Sequence, residues 1–350
     1  MSPAKQHASA REHNRSGHRE SADISAQNAA NRQLATAVAL RYLYQFVRIE
    51  PKILQGNEPE AIHDFRVASR RLQQVLDLLY PKPRSKPLRK LRRVIRRARG
   101  LFSDVRNSDV ILEKIKSLQS KKQPGYSEAW NAFRDYLSER RAQGFQKAAA
   151  KLSRLNLSDF YLKAQHSLTS PAEEHAKDSD GLSIVTSANE PGPGGEPFRT
   201  NLAQSVRNTW ESFSAQIAAS QKNNDPNSLH LVRIACKRLR YLLEIFQELD
   251  VPVPDEILDR LRRTQQQLGD WHDMEVMDQM MAEMLARPGY LRRHIELAIK
   301  IERLILRNQK TKAGLEKKYF RSLQDSSGWS QLEVLISELA SEPLLAADTE

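Results

Sequence analysis

A histidine followed by regularly spaced basic side chains occurs twice in this sequence. The first copy reads HDFRVASRRLQQVLDLL from His63, and the second reads HLVRIACKRLRYLLEIF from His230. Side chains three and four residues apart share one face of an α-helix, so each copy would present its cations together. Guanidinium groups pair with phosphate oxygens through two parallel hydrogen bonds, so this pattern predicts an anion-binding surface. The candidate residues are His63, Arg66, Arg70 and Arg71 in the first copy and His230, Arg233, Lys237 and Arg238 in the second.

A second pair of similar segments indicates that the chain arose by internal duplication. The segment SDVRNSDV from Ser103 returns as GDWHDMEV from Gly269, which places His272 where the first half has Arg106. Both pairs are separated by nearly the same length of chain, so two similar halves are expected. Prolines and glycines divide each half into about four helices, and no stretch alternates as a half-buried strand does. We therefore predict an all-α fold of two four-helix bundles.

The predicted bundles are preceded and joined by segments that have no apolar face. Residues 1–30 mix His, Arg, Ser and Asn without periodicity, and residues 167–197 concentrate Pro, Gly, Ser and acidic side chains. Such compositions bury too little apolar surface to fold, so we expect a disordered tail and a flexible linker. The two bundles are accordingly assigned to residues 31–166 and 198–345.

Helical spacing separates apolar from basic side chains in both copies. Tyr241 falls among the basic residues of the second copy, whereas Cys236 falls on its apolar side and is expected to be a small core residue. The predicted inward residues are Phe65, Ser69, Leu72, Leu76 and Leu79 in the first copy and Val232, Cys236, Leu239, Leu243 and Phe246 in the second.

The helix after the first copy is more basic still. Its arginines and lysines cover nearly all the surface outside its apolar stripe, and only Asp104 and Asp109 lie nearby in the sequence. Like charges at helical spacing repel each other by about 0.2–0.5 kcal/mol per pair, so a bound anion is favoured over an unoccupied surface. We extend the candidate site to Arg89, Arg93 and Arg96, with Arg262 and Arg263 in the second half.

The composition restricts both the class of protein and its ligand. The 350 residues include 55 Lys and Arg against 43 Asp and Glu, and the net charge of +12 favours a polyanionic partner. The single cysteine excludes an internal disulfide and any zinc or iron–sulfur site built from several thiolates of this chain. There is no run of about 18 apolar residues and no secretory leader, so we expect no membrane partner and a cytoplasmic location.

The paired motifs resemble those of the CHAD domain, an all-helical family named for its histidines. The resemblance rests on two His-x-x-Arg-x-x-x-basic-Arg-Leu segments in corresponding halves and extends over about residues 31–340. It implies two four-helix bundles related by pseudo-twofold symmetry, whose basic helix faces line a central groove or pore that binds inorganic polyphosphate. Because His272 replaces Arg106 in the second half, the two halves need not bind equally.

Other functions stay open from the residues alone. His63-Asp64 and His272-Asp273 match the His-Asp dipeptide of metal-dependent phosphohydrolases, but Leu231 replaces Asp64 in the second copy. The surrounding arginines would also repel a divalent cation. Nucleic acid carries the same phosphates, but few aromatic side chains accompany the basic residues for bases to stack on. A scaffold that docks on acidic proteins is a further alternative.

The residues and the resemblance together predict binding of polyphosphate without catalysis, cofactor or metal ion, with polyphosphate granules as a further expected location. Arginine and lysine would supply the contacts, and a bound phosphate would raise the pKa of His63 and His230. Affinity is therefore expected to rise as the pH falls through roughly 6.5, the value of an unperturbed histidine. The preferred chain length and the oligomeric state stay open.

Overall fold

The structure, a computed structural model, describes residues 29–56, 58–81, 85–119, 125–169, 198–222, 226–324 and 327–341. These residues form helices and connecting turns without any strand, which confirms the all-α fold. None of the described helices is long and apolar enough to span a bilayer. Residues 1–28 and 170–197, which hold nearly all of the expected tail and linker, lie outside the described residues.

The described helices are numbered in chain order. In the first half they are α1 (29–48), α2 (Glu50–Gly56), α3 (Pro59–Leu79), α4 (Lys86–Leu101), α5 (Ser103–Gln119), α6 (Ser127–Ser153) and α7 (Leu157–Thr169). In the second half they are α8 (Phe198–Lys222), α9 (Pro226–Glu248), α10 (Asp255–Leu285), α11 (Tyr290–Arg293), α12 (Ile295–Leu323) and α13 (Ser327–Ser341).

Several helix ends follow from local sequence. Proline is the first residue of α3 and of α9, where its missing N–H has no partner to lose. The Ser85 hydroxyl caps α4 by accepting a hydrogen bond from the backbone N–H of Leu88 at 3.4 Å. Gly289 separates α10 from α11 with a φ of 72°, a left-handed conformation that favours glycine. These turns place the helix boundaries close to the breaks that the sequence predicts.

The helix count differs from the expectation of about four per half. A turn at Phe102 divides the basic helix from α5, and a turn at Asn156, with a φ of 46°, divides α6 from α7. The first turn follows Gly100 and the second contains neither proline nor glycine, so composition reveals neither of them plainly. Helix α7 ends at Thr169, slightly beyond the predicted boundary at residue 166. The division into two bundles stays a prediction.

Two hydrophobic clusters hold the helices together. The larger includes residues from α1, α3, α8 and α9, and the smaller joins α5 and α6 to α10 and α12. In the larger cluster the ring of Phe46 stacks on Phe65 with centroids 4.6 Å apart, and Phe65 meets Phe102 edge-on at 6.0 Å. Both clusters therefore contain side chains from both halves of the chain.

The predicted inward faces of α3 and α9 are confirmed, since every one of the ten residues assigned to them is buried. Burial raises the pKa of the Cys236 thiol to about 12, so this cysteine is a core residue. One assignment is wrong: Tyr241 is buried, and the guanidinium carbon of Arg240 lies 4.3 Å from its ring centre. A stacked arginine therefore covers the aromatic ring that the sequence places among the exposed cations.

Candidate anion-binding site

Four helices converge on a cavity of about 240 Å³, which we call the central cavity. They are α3 and α5 from the first half and α9 and α10 from the second. Helices α3 and α9 bury their apolar faces in the core and turn basic side chains toward this space. The lining residues are His63, Arg66, Val67, Arg70, Arg106, Asn107, Val110, Ile111, Arg233, Lys237, His272, Asp273 and Val276.

The lining contains both members of several pairs that the sequence repeat aligns. The pairs are Arg66 with Arg233, Arg70 with Lys237, Arg106 with His272, Asn107 with Asp273 and Val110 with Val276. Residues far apart in the sequence thus meet at one place, with the two halves contributing corresponding side chains. His230 is not part of the lining, but its ring centre lies 5.1 Å from that of His272.

Positive charge in the central cavity is not neutralised by the protein. Five arginine and lysine side chains line it, with Asp273 as the one lining carboxylate. Asp273 already pairs with Lys114, whose Nζ lies 3.4 Å from its Oδ2. The Nε of Arg233 is buried and has no hydrogen-bond acceptor among the described residues. Buried donors normally have partners, and this one has none among the described side chains, so an anion that entered the cavity would find an unused donor.

Arg66 is the best-positioned cation of the cavity. Its Nη1 donates to the backbone carbonyl oxygen of Arg99 and to the Ser103 hydroxyl, both at 2.9 Å. These bonds join α3 to the junction between α4 and α5. Burial, followed by the charges of Arg70 and Arg99, lowers the pKa of Arg66 to about 10, which leaves the guanidinium charged at neutral pH.

Lys237 has the most perturbed ammonium group of the cavity. Burial, followed by the charges of Arg233 and Arg70, lowers its pKa to about 7. No hydrogen bond or ion pair of its amine occurs within the part of the chain that the structure describes. An anion beside Lys237 would stabilise the ammonium form and raise this pKa again.

The histidines of the site are held neutral by their surroundings. Burial, followed by Arg106, lowers the pKa of His63, and burial, followed by Arg233, lowers that of His230. For His272, burial and then the charge of Arg233 lower the pKa to about 3. Because these shifts disfavour the imidazolium form, any gain in affinity from histidine protonation lies at a lower pH than the sequence suggests.

The α4 surface is a second basic depression, of about 280 Å³, surrounded by Arg89, Arg92, Arg93 and Arg96. Arg92 has a structural role, because its Nη2 donates hydrogen bonds to the carbonyl oxygens of Leu76 and Tyr80 and forms an ion pair with Asp77. Arg93 and Arg96 are exposed.

Arg99 lies between the α4 surface and the central cavity. Burial is the main influence that lowers the pKa of Arg99, and the charges of Arg70 on the cavity side and Arg96 on the α4 side lower it further. Arg66 also donates to its backbone carbonyl oxygen. Cations therefore continue from one depression to the other.

Besides His230, four residues of the predicted site lie outside both depressions. Arg71 pairs with Glu244 at 3.4 Å, and its guanidinium carbon lies 5.7 Å from the ring centre of Tyr42. Arg262 pairs with Asp259 at 2.7 Å. Arg238 and Arg263 are exposed on α9 and α10. Helical spacing identifies a basic face, but it does not say which cations at its margin turn toward a neighbouring helix.

Sequence reasoning left out several residues that the cavity contains, namely Arg106, Asn107, His272 and Asp273. The second repeat aligns all four, so its recurrence was a signal that these positions share a place. The position of Arg99 between the two basic depressions had no such signal, because its partner Arg66 lies on another helix.

The chemistry of the lining bears on the alternatives left open by the sequence. Within the described ranges, no group of three His, Cys, Asp or Glu side chains converges as a metal site. The lining includes no Phe, Tyr or Trp, so bases have no aromatic surface to stack on.

Comparison with known proteins places the chain in a family. The CHAD domain family model matches residues 37–282, more than half of the chain. This chain belongs to the CHAD domain family. The family is associated with polyphosphate, and CHAD domains are generally binding domains without enzymatic activity.

Two solved structures share the CHAD fold of this chain. The CHAD domain from the plant Ricinus communis is 21% identical, with a TM-score of 0.55 over 81% of this chain and 91% of that one. PptA from Streptomyces chartreusis is 12% identical, with a TM-score of 0.54 over 84% of this chain and 99% of that one. No curated protein matches the sequence.

Proposed function

We propose that this chain binds inorganic polyphosphate in the central cavity. The observation that carries the proposal is the group of five cations from both halves that line one cavity. The one carboxylate of that lining, Asp273, forms an ion pair with Lys114. Phosphate oxygens would accept hydrogen bonds from Arg70, Arg106 and Arg233, and these charge-assisted bonds are stronger than neutral ones. Membership of a family associated with polyphosphate supports the same ligand.

A longer phosphate chain would continue from the central cavity to the α4 surface. The charges of Arg70 in the cavity and of Arg96 on the α4 surface both act on Arg99. Successive phosphates of a chain that runs from one depression to the other would therefore each have a cation nearby. A repeating phosphate chain relieves the repulsion among all these groups at once, whereas a single phosphate relieves only part of it. Arg89, Arg93 and Arg96 are thus proposed to bind the outer part of the chain.

A phosphate chain without bases fits this site better than nucleic acid does. Single-stranded nucleic acids gain about 1–3 kcal/mol from each base stacked on an aromatic side chain, and the lining offers no such side chain. The proposed role is binding alone, as is general for domains of this family. Binding of this kind would also bring the chain to polyphosphate granules.

The test measures binding of long-chain polyphosphate at physiological salt, with DNA and RNA as competitors. The cavity variant combines Arg70→Gln, Arg106→Gln and Arg233→Gln and keeps Arg66, whose bonds to Arg99 and Ser103 support the fold. Each substitution removes a charge-assisted contact worth about 1.5–3 kcal/mol, so affinity should fall by at least about a hundredfold.

A matched variant controls for net charge. It combines Arg154→Gln, Arg292→Gln and Arg303→Gln, three exposed positions outside both depressions. It should keep most of the affinity, because the total charge changes equally in both variants and only the cavity contacts differ. Equal losses in the two variants, or displacement of polyphosphate by equal amounts of DNA or RNA, would show a diffuse basic surface instead of a site.

A further inference from the structure

The amine of Lys237 lies among groups that bind phosphate but is itself without a partner. The side chains whose charges act on it are Arg233, Arg70 and Arg66, with Asp273 as the nearby carboxylate. Asp273 pairs with Lys114 and not with Lys237, and no ion pair of the Lys237 amine occurs in the described ranges. Lys237 is therefore a half-buried primary amine beside several guanidinium groups, at the wall of a cavity of about 240 Å³.

This environment makes the amine a nucleophile at neutral pH. A protonated amine has no lone pair, and ordinary lysines are almost fully protonated at pH 7 because their pKa is about 10.4. Burial and the neighbouring arginines lower the pKa of Lys237 to about 7, so the amine is neutral far more often than that of an ordinary lysine. His272 and His63 add no charge there, since burial also lowers their pKa values.

We propose that Lys237 is a site of acylation by acyl phosphates, whose phosphate the cavity arginines bind beside the amine. In the reaction the Lys237 nitrogen forms a bond to the acyl carbon, and the bond from that carbon to the phosphate oxygen breaks. Inorganic phosphate leaves with the electron pair and takes the proton that the nitrogen loses. The arginines hold the phosphate in the reactant and stabilise the charge of the leaving group.

Acylation would also regulate the proposed function. The amide product carries no charge and occupies more of the cavity than the amine does, so polyphosphate would lose one cation and some space. Conversely, bound polyphosphate would cover Lys237 and stabilise its ammonium form, which protects it from acylation. This regulatory consequence rests on the proposed function, whereas the acylation itself requires only that the cavity binds a phosphate group.

The experiment treats the full chain with acetyl phosphate at pH 7 and measures the rate of acetylation at each lysine by peptide mass spectrometry. Lys163 is the reference, because it is exposed and pairs with Asp159 at 2.6 Å. N-Hydroxysuccinimidyl acetate, an acyl donor without phosphate, is used in parallel to measure the reactivity of the amine itself. Lys237 should react with acetyl phosphate at least about tenfold faster than Lys163, given their neutral fractions.

The ratio of the Lys237 rate to the Lys163 rate should be higher with acetyl phosphate than with the donor that lacks phosphate. Arg70→Gln should lower the acetyl phosphate ratio toward the other, and Arg106→Gln serves the same purpose if Arg70→Gln does not fold. Tripolyphosphate should slow the reaction of Lys237 and leave that of Lys163 unchanged. Equal ratios for both donors, or equal rates at the two lysines, would overturn the proposal.

Two results separate this inference from the proposed function. Polyphosphate binding without preferential acetylation of Lys237 would overturn the inference and leave the proposed function in place. Preferential acetylation without polyphosphate binding would do the reverse. In a chain that shows both, Lys237→Gln, which resembles acetyl-lysine in lacking charge, should weaken polyphosphate binding more than Lys237→Arg does.

Discussion

Arg66 and Lys237 are basic side chains of the same cavity that respond differently to desolvation. Arg66 has hydrogen-bond acceptors on Arg99 and Ser103, so its guanidinium stays charged and oriented without a ligand. Lys237 has no such acceptor, and the same burial brings its pKa close to neutral pH. An arginine is much harder to deprotonate than a lysine, so the two residue types differ in how pH affects them.

Affinity for long-chain polyphosphate should fall as the pH rises above about 7. Below that pH the Lys237 amine of the unbound protein is already protonated, and binding needs no proton. Above it the amine must take up a proton on binding, which lowers affinity by up to about tenfold per pH unit until the pKa of the complex is reached. Isothermal titration from pH 6 to 9 measures this, with long chains so that the titrating end groups are few.

Lys237→Arg is the matched variant for this pH dependence, because arginine keeps the charge across that range. Its affinity should be nearly constant from pH 7 to 9. A pH profile that is unchanged in Lys237→Arg would assign the dependence to another group. Combined His63→Gln and His230→Gln substitutions should affect binding only below about pH 6.5, since burial lowers both pKa values.

Replacing the Lys237 amine should stabilise the protein while it weakens binding. The pKa of Lys237 is about 7 in the folded chain and about 10.4 in the unfolded chain, so the unfolded chain binds more protons between these values. The free energy of unfolding of wild type therefore rises with pH in this window. Lys237→Met removes that penalty and should raise Tm by at least about 2 °C at pH 6.

The Tm difference between Lys237→Met and wild type should shrink toward pH 9 or 10, where the wild-type amine is neutral in the folded state. Scanning calorimetry at both ends of the range provides the measurement. Lys163→Met, at an exposed ion pair, is the control and should change Tm little. An equal Tm difference at every pH would mean that packing and not charge is responsible.

At the scale of single elements, α4 combines an anchoring arginine with binding arginines. Arg92 bonds to the carboxyl end of α3 through Leu76 and Tyr80, which positions the helix, while Arg93 and Arg96 face solvent. A phosphate on this face would release about 0.7 counterion per contact if it behaves as a single strand does. The α4 face should therefore contribute to salt dependence more than to the fold.

Arg93→Gln combined with Arg96→Gln should reduce the slope of log Kd against log salt by about 1.4 for long-chain polyphosphate. The slope for tripolyphosphate, which the central cavity would hold alone, should stay the same. Binding titrations between 50 and 300 mM NaCl, roughly the range where such slopes are measured, test both. An equal change for both ligands would mean that the α4 surface is not a separate part of the path.

At the scale of the molecule, the site depends on both halves of the chain. Helices α3 and α5 supply Arg66, Arg70 and Arg106. Helix α9 supplies Arg233 and Lys237, and α10 completes the lining. Both hydrophobic clusters also contain side chains of both halves, so each half supports the other. The cavity is therefore a property of the association of the halves.

Residues 29–169 and 198–341, expressed as separate chains, should each bind tripolyphosphate at least about tenfold more weakly than the whole chain. Each half alone lacks two or three of the five cations, and the loss of one charge-assisted contact costs about 1.5–3 kcal/mol. Mixing the two chains should restore affinity if they associate. A single half with the affinity of the whole chain would show that one bundle contains a complete site.

Sequence alone determined the helical fold, the inward faces of α3 and α9, and the family, because these follow from local spacing and from two repeated motifs. Tertiary structure decided which cations share a space. It brought Arg70 and Lys237 together from helices far apart in the sequence, added Arg106 and His272, and turned Arg71 toward Glu244 instead. It also set the pKa of Lys237, since desolvation and like-charged neighbours depend on how helices pack and not on the residues adjacent in sequence.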